Sequence, residues 1–159
     1  MTKFLLSIHV LAAILVLGPV AVAASLFPRY AWQAASGDKD GGGRAAEVAA
    51  LLHRICRGYA VVGIAVPVFG IATAVQLGVL GDAWLIASLV LTAIAAATLV
   101  LAVLPGQLSL LGLPQGAAAD TGSPPAAVAR LGMLTGVFNL LWAVVVVLMI
   151  VRPGSTTGA

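Results

Sequence analysis

The chain has 159 residues, 62% of them hydrophobic and 8% charged, and a mean hydropathy of +1.14; a soluble domain of this length needs a far larger polar share to clothe its surface. The net charge is +3, but no basic stripe interleaved with aromatic residues is present to follow a phosphate backbone, so a nucleic-acid binder is excluded. The single cysteine, Cys56, rules out an internal disulfide and a cysteine-based zinc site, and is read as a packing residue.

The first uncharged run, Phe4 to Phe27, is long enough to cross a hydrocarbon core of about 30 Å as a helix. Lys3 followed by apolar residues and Ala21-Val22-Ala23 also fits a cleaved signal peptide; the retained span is the preferred reading. Gly18-Pro19 predicts a kink, because proline removes a backbone donor and its ring crowds the preceding turn. Pro28, Arg29 and the stretch Ser36 to Gly43, with its three consecutive glycines, predict a polar loop. From Arg44 to Arg57 the pattern becomes amphipathic, with Val48, Leu51, Leu52 and Ile55 on one face. This predicts a short interfacial helix whose basic residues Arg44, Arg54 and Arg57 meet lipid headgroups.

A second span is predicted over 58–80 and a third over 83–104, joined so tightly at Gly81-Asp82 that the two should be antiparallel neighbours. Pro105-Gly106 should end the third span, with a small-residue connection continuing from Gly112 to Pro125 through Asp120 and Ser123. The fourth span covers 126–151, with Arg130 snorkelling from its first turns, and a fraying tail follows Pro153. The fold class is therefore all-α: residues 1–159 form one membrane domain, a bundle of four transmembrane helices with polar loops at 28–57 and 105–125. Lys3 and Arg152 lie on one side, against Arg29, Lys39, Arg44, Arg54, Arg57 and Arg130 on the other. The positive-inside bias thus predicts a multi-pass protein of the cell membrane with cytoplasmic loops and both termini outside.

Helices in a bilayer associate through close backbone approach and buried polar contacts. Candidate seams are Gly132 and Gly136 in the fourth span, Gly70, Ala74 and Gly78 in the second, and Ser88, Thr92 and Ala96 in the third. Pro67 should bend the second helix and free a carbonyl for a neighbour. The amides of Asn139 and Gln76 should face protein, because an unpaired amide in hydrocarbon costs a few kcal/mol.

Two histidines in a small bundle raise the question of haem b. His9, however, lies within the first span and His53 before the second on the opposite side, about 20 Å apart along the membrane normal, so one iron cannot bridge them. His9 could ligate only with a partner subunit, and His53 reads as a solvated headgroup contact. No acidic residue falls inside a span, which disfavours a proton- or cation-coupled pump. No phosphate-binding loop, Ser/His/Asp set or HExxH is present, so no catalytic residues are assigned. Gly41-Gly42-Gly43 is a linker. Trp32, Trp84, Tyr30 and Tyr59 fall near span ends as anchors, while Trp142 lies deeper as a core residue.

The run His9-Val10-Leu11-Ala12-Ala13-Ile14-Leu15-Val16-Leu17-Gly18, with Asn139-Leu140-Leu141-Trp142 and Leu148-Met149-Ile150-Val151-Arg152-Pro153-Gly154, resembles the small bacterial integral membrane proteins grouped as domain of unknown function 2269. The resemblance implies four spans and a polar first loop over nearly the whole chain, and it brings no activity with it. The opening is also similar to membrane proteins of the copper-resistance D type, but no second intramembrane His or Met cluster accompanies it, and Met133 and Met149 are too far apart to form a metal pair. The functional expectation is a non-enzymatic protein of helix association, either a homo-oligomer or an accessory subunit of a larger membrane complex such as a respiratory assembly. The alternatives are a small transporter or channel component using Asn139, Gln76 and the Pro67 bend, and a haem- or metal-binding redox protein using His9.

Overall fold

The computed structural model describes residues 2–37, 39–114 and 126–154. It is all-helical, in the order α1 (Thr2–Ser36), α2 (Lys39–Val62), α3 (Ala65–Leu77), α4 (Ala83–Thr98), a π-helical turn (Leu99–Val103), α5 (Leu104–Leu111) and α6 (Ala126–Val151). These merge into four rods long and apolar enough to cross a membrane: Lys3–Ser36, Gly41–Leu77, Ala83–Leu111 and Ala126–Val151. Their outward faces carry large bare side chains such as Phe4, Val61, Leu101 and Ile150. So much exposed apolar surface matches lipid as the surrounding solvent, not water.

The first two rods overrun the expected spans. α1 passes through Pro28, which lies inside the helix, because one missing donor costs less than the packing gained beyond it. Phe27, Ala31 and Ala35 are buried at helical spacing, and they share the interior with Ala45, Ala49, Leu52 and Cys56 of α2. Alanine at these positions lets the two backbones approach closely. Residues 28–57 are therefore not a loop with a separate interfacial helix. The stretch from Arg44 to Arg57 is the first half of a long rod and packs along α1. Its buried line runs through Ala45, Ala49, Leu52 and Cys56, while Leu51, expected on the apolar face, is exposed.

The reversal between α1 and α2 is tight. A Cβ on Gly37 would lie 2.8 Å from the Gln33 carbonyl oxygen and 2.8 Å from the Gly42 nitrogen, so the turn admits only glycine there. Gly41-Gly42-Gly43, read as a linker, forms the start of α2. Asp38 and most of the connection between Gly112 and Pro125, including Asp120 and Ser123, lie outside the described residues, as does the tail from residue 155.

Two further prolines shape the rods without ending them. Before Pro67 the second rod breaks over Gly63 and Ile64, and the Gly63 carbonyl accepts from the Val66 N–H at 3.1 Å. The carbonyl left without its proline donor is thus satisfied locally. Before Pro105 the helix widens into the π-helical turn Leu99–Val103 and continues as α5. Widening makes room for a ring that would clash in a regular α-turn, so Pro105-Gly106 does not terminate the third rod. Gly106 also lets α6 approach, since a Cβ there would meet Leu131 Cδ1 at 3.1 Å.

α1 is the hub of the bundle, running along α2 and α3 and also against α6, while α4 packs on α6. The second and third rods are joined by a short turn over Gly78–Asp82 and touch beside it, where Ala74 packs with Trp84 and Leu85, but their larger contact lies at the other end of the rods. There α2 of the second rod packs on α5 of the third.

Candidate functional site

Among the described residues buried polar side chains are scarce: Thr73 and Ser88 bond back to carbonyls of their own helices, and the others fall into three groups between helices. The first lies between α1 and α3. His9 is buried, and its Nδ1 is 2.9 Å from the Val66 carbonyl oxygen. A carbonyl only accepts, so Nδ1 donates, and in the neutral ring Nε2 is the nitrogen that holds the free lone pair. Gly70 makes the arrangement possible, since a Cβ there would sit 2.9 Å from His9 Cε1 and 3.2 Å from its Nδ1. The absence of a side chain at Gly70 thus makes room for the imidazole.

The second group joins α2 to α5. Gln107 is fully buried; its Oε1 accepts from His53 Nδ1 at 3.0 Å, and its Nε2 donates to Cys56 Sγ at 3.6 Å. His53 is half-buried, not a solvated headgroup contact. The sequence reading missed Gln107 because it follows Pro105-Gly106, an apparent helix stop. The available signal was a lone amide within a run of leucines, opposite a His and a Cys three residues apart on one helix face. Thirteen residues separate His53 from Val66, about 20 Å of helix, so the two histidines occupy separate sites.

The third group lines α6. Asn139 Nδ2 donates to Ser25 Oγ of α1 at 3.0 Å. Along the same face, Thr135 Oγ1, Asn139 Oδ1 and Trp142 Nε1 are buried without a partner. Asn139 thus links α6 to α1, with orphaned polar atoms beside it. Gln76, its supposed counterpart, is exposed on α3.

The remaining seam candidates divide. Ala74 is buried and packs with Trp84. Gly78 is not a packing rung: it caps α3 in the left-handed conformation at φ 70°, a position that favours glycine, with backbone bonds back to Ala74 and Val75. Gly132 and Gly136 have nothing within 4 Å of the position a Cβ would take, and face away from the other described helices. Ser88 is buried and bonds back to the Trp84 carbonyl at 2.8 Å, whereas Ala96 is exposed.

The arginines at the end where α1 turns into α2 and α6 begins lie on the outside. Arg44, Arg54, Arg57 and Arg130 are all exposed. At the opposite end, Trp84 donates through Nε1 to Asp82 Oδ2 at 3.0 Å, and the Arg152 guanidinium lies 5.6 Å from the centre of the Trp84 ring. This cation–π contact ties the end of α6 to the start of α4. Among the described residues no group of three or more His, Cys, Asp or Glu side chains could hold a metal ion.

No curated protein and no solved structure matches the chain. A family model does, that of the predicted integral membrane proteins DUF2269, and the match covers residues 3–153. Four apolar rods, an interior held by a few buried polar bonds and a match over nearly the entire length establish that the chain belongs to the DUF2269 family of integral membrane proteins.

Proposed function

We propose that this protein acts through helix association in the cell membrane, as a non-enzymatic member of a homo-oligomer or of a larger membrane complex, and that α6 carries the contact face. The observation behind this reading is the outward placement of Gly132 and Gly136, with open space at both Cβ positions. Within the chain α6 packs through Val128, Leu131, Thr135, Phe138 and Val145, which leaves the glycine pair to a helix from outside. Lipid tails give no hydrophobic drive for such contacts, so close backbone approach across small residues supplies it. The test is native mass spectrometry in mild detergent on wild type and on Gly132→Leu/Gly136→Leu. The wild type should be an assembly and the variant a monomer of unchanged thermal stability. A wild type that is a monomer with no companion, or a variant that keeps its assembly, counts against the reading. The same proposal sets the end bearing Arg44, Arg54, Arg57 and Arg130 in the cytoplasm and both chain ends outside, following the positive-inside bias.

One observation favours a second reading. The Nδ1–H of His9 is committed to Val66, which leaves Nε2 in the state in which histidine ligates haem iron or a metal, with a partner subunit supplying the other ligand. Haem-replete expression followed by an optical spectrum tests it, and the absence of a Soret band removes it.

A further inference from the structure

Where the basic stretch of α2 gives way to its apolar stretch, the outward face carries a groove of about 350 Å³ lined by Arg54, Ile55, Gly58, Tyr59 and Val62. We propose that this groove is a binding site for an anionic glycerophospholipid, its phosphate held by Arg54 and Arg57 and one acyl chain lying over Gly58 toward Val62. The proposal rests on the chain residing in a bilayer and is independent of any assembly through α6.

The lining is graded along the helix axis. Arg54 and Tyr59 line the groove, and Arg57, exposed one turn after Arg54, lies outside the lining on the neighbouring surface of the helix, within reach of a phosphate held at Arg54. Val61 and Val62, 67% and 54% exposed, continue the surface as bare hydrocarbon. From Arg54 to Val62 is about 12 Å of helix, the length over which a phospholipid passes from phosphate through glycerol to the upper acyl carbons. Gly58 forms the notch, since nothing lies within 4 Å of the position its Cβ would take.

Charge selects the headgroup. Glu47, the nearest acidic residue along α2, lies two turns before Arg54, about 10 Å away, so from Arg54 to Val62 this helix carries two positive charges and no acidic residue. A phosphodiester lacking a compensating ammonium satisfies both guanidiniums, and guanidinium geometry suits phosphate oxygens. The buried side of α2 is already filled by Ala49, Leu52 and Cys56, so the groove belongs to the lipid-facing surface and not to the chain's own packing.

The experiment is native mass spectrometry of the full chain, delipidated in detergent and titrated with phosphatidylglycerol or phosphatidylcholine of identical acyl chains. Wild type should bind phosphatidylglycerol about tenfold more tightly. Arg54→Gln/Arg57→Gln should reduce that preference to near parity, and Gly58→Leu, which fills the notch without touching the interior, should weaken both lipids. Arg44→Gln, ten residues from Arg54 and about 15 Å away, should keep the preference. Equal affinities in wild type, a preference that survives in the double variant, or its loss in Arg44→Gln would overturn the site. So would displacement of the lipid by millimolar inorganic phosphate, which would mark an anion site with no acyl component. Unchanged thermal unfolding of each variant confirms that the fold is intact.

Discussion

The packing of His9 on Gly70 gives the sharpest test of how this bundle is held together. In Gly70→Ala the new Cβ would lie 2.9 Å from His9 Cε1, so the ring must move, and its 2.9 Å bond to the Val66 carbonyl must stretch or break. Overpacking at a filled interior site costs about 1–3 kcal/mol, and loss of a buried neutral hydrogen bond adds about 1 kcal/mol. Alanine is the better helix former by about 1 kcal/mol, which opposes these losses. The net expectation is a destabilisation of about 1–3 kcal/mol, read by denaturant unfolding in mixed micelles. In a His9→Ala background the ring is gone and only the helix preference remains, so Gly70→Ala should then stabilise by about 0.5–1 kcal/mol. The double-mutant cycle should therefore show a coupling of about 1.5–4 kcal/mol. Additive effects, with Gly70→Ala costing the same in both backgrounds, would refute the reasoning that Gly70 exists to seat the imidazole.

The other two groups behave differently when their amides are removed. Gln107→Leu preserves volume but leaves His53 Nδ1 without its acceptor and Cys56 without its donor, at a cost of about 1–3 kcal/mol. The fully buried Cys56 thiol should resist maleimide in wild-type micelles and react faster in this variant; equal stability and equal labelling would show that the network holds nothing. Asn139→Leu removes the bond to Ser25 but also a buried amide oxygen that has no partner. The two effects oppose, so unfolding measurements should find a change of less than about 1 kcal/mol, and a loss of several would mean that the amide oxygen is paired in the membrane.

Hydropathy alone determined that the chain holds four helical rods long and apolar enough to cross a membrane, because a backbone in lipid must satisfy its own hydrogen bonds and only long uncharged runs can do so. The outer limits of the fourth rod and the Gly78–Asp82 turn were legible for the same local reason. The ends of the other rods were not. Pro28 and Pro105 read as terminators because sequence reports the lost donor but not the packing beyond it, which carries α1 to Ser36 and the third rod to Leu111. The amphipathic stretch from Arg44 to Arg57 announced an apolar face, yet whether lipid or protein covers it depended on Ala31 and Ala35, distant in sequence and brought alongside by the Gly37 turn. The small-residue patterns were equally ambiguous: Gly70 seats His9, Gly78 ends a helix, and Gly132 and Gly136 face outward. Spacing reveals that residues share a face of their own helix, but which neighbour that face meets is fixed by long-range packing, and so only the tertiary structure brought Gln107 to His53 and Cys56.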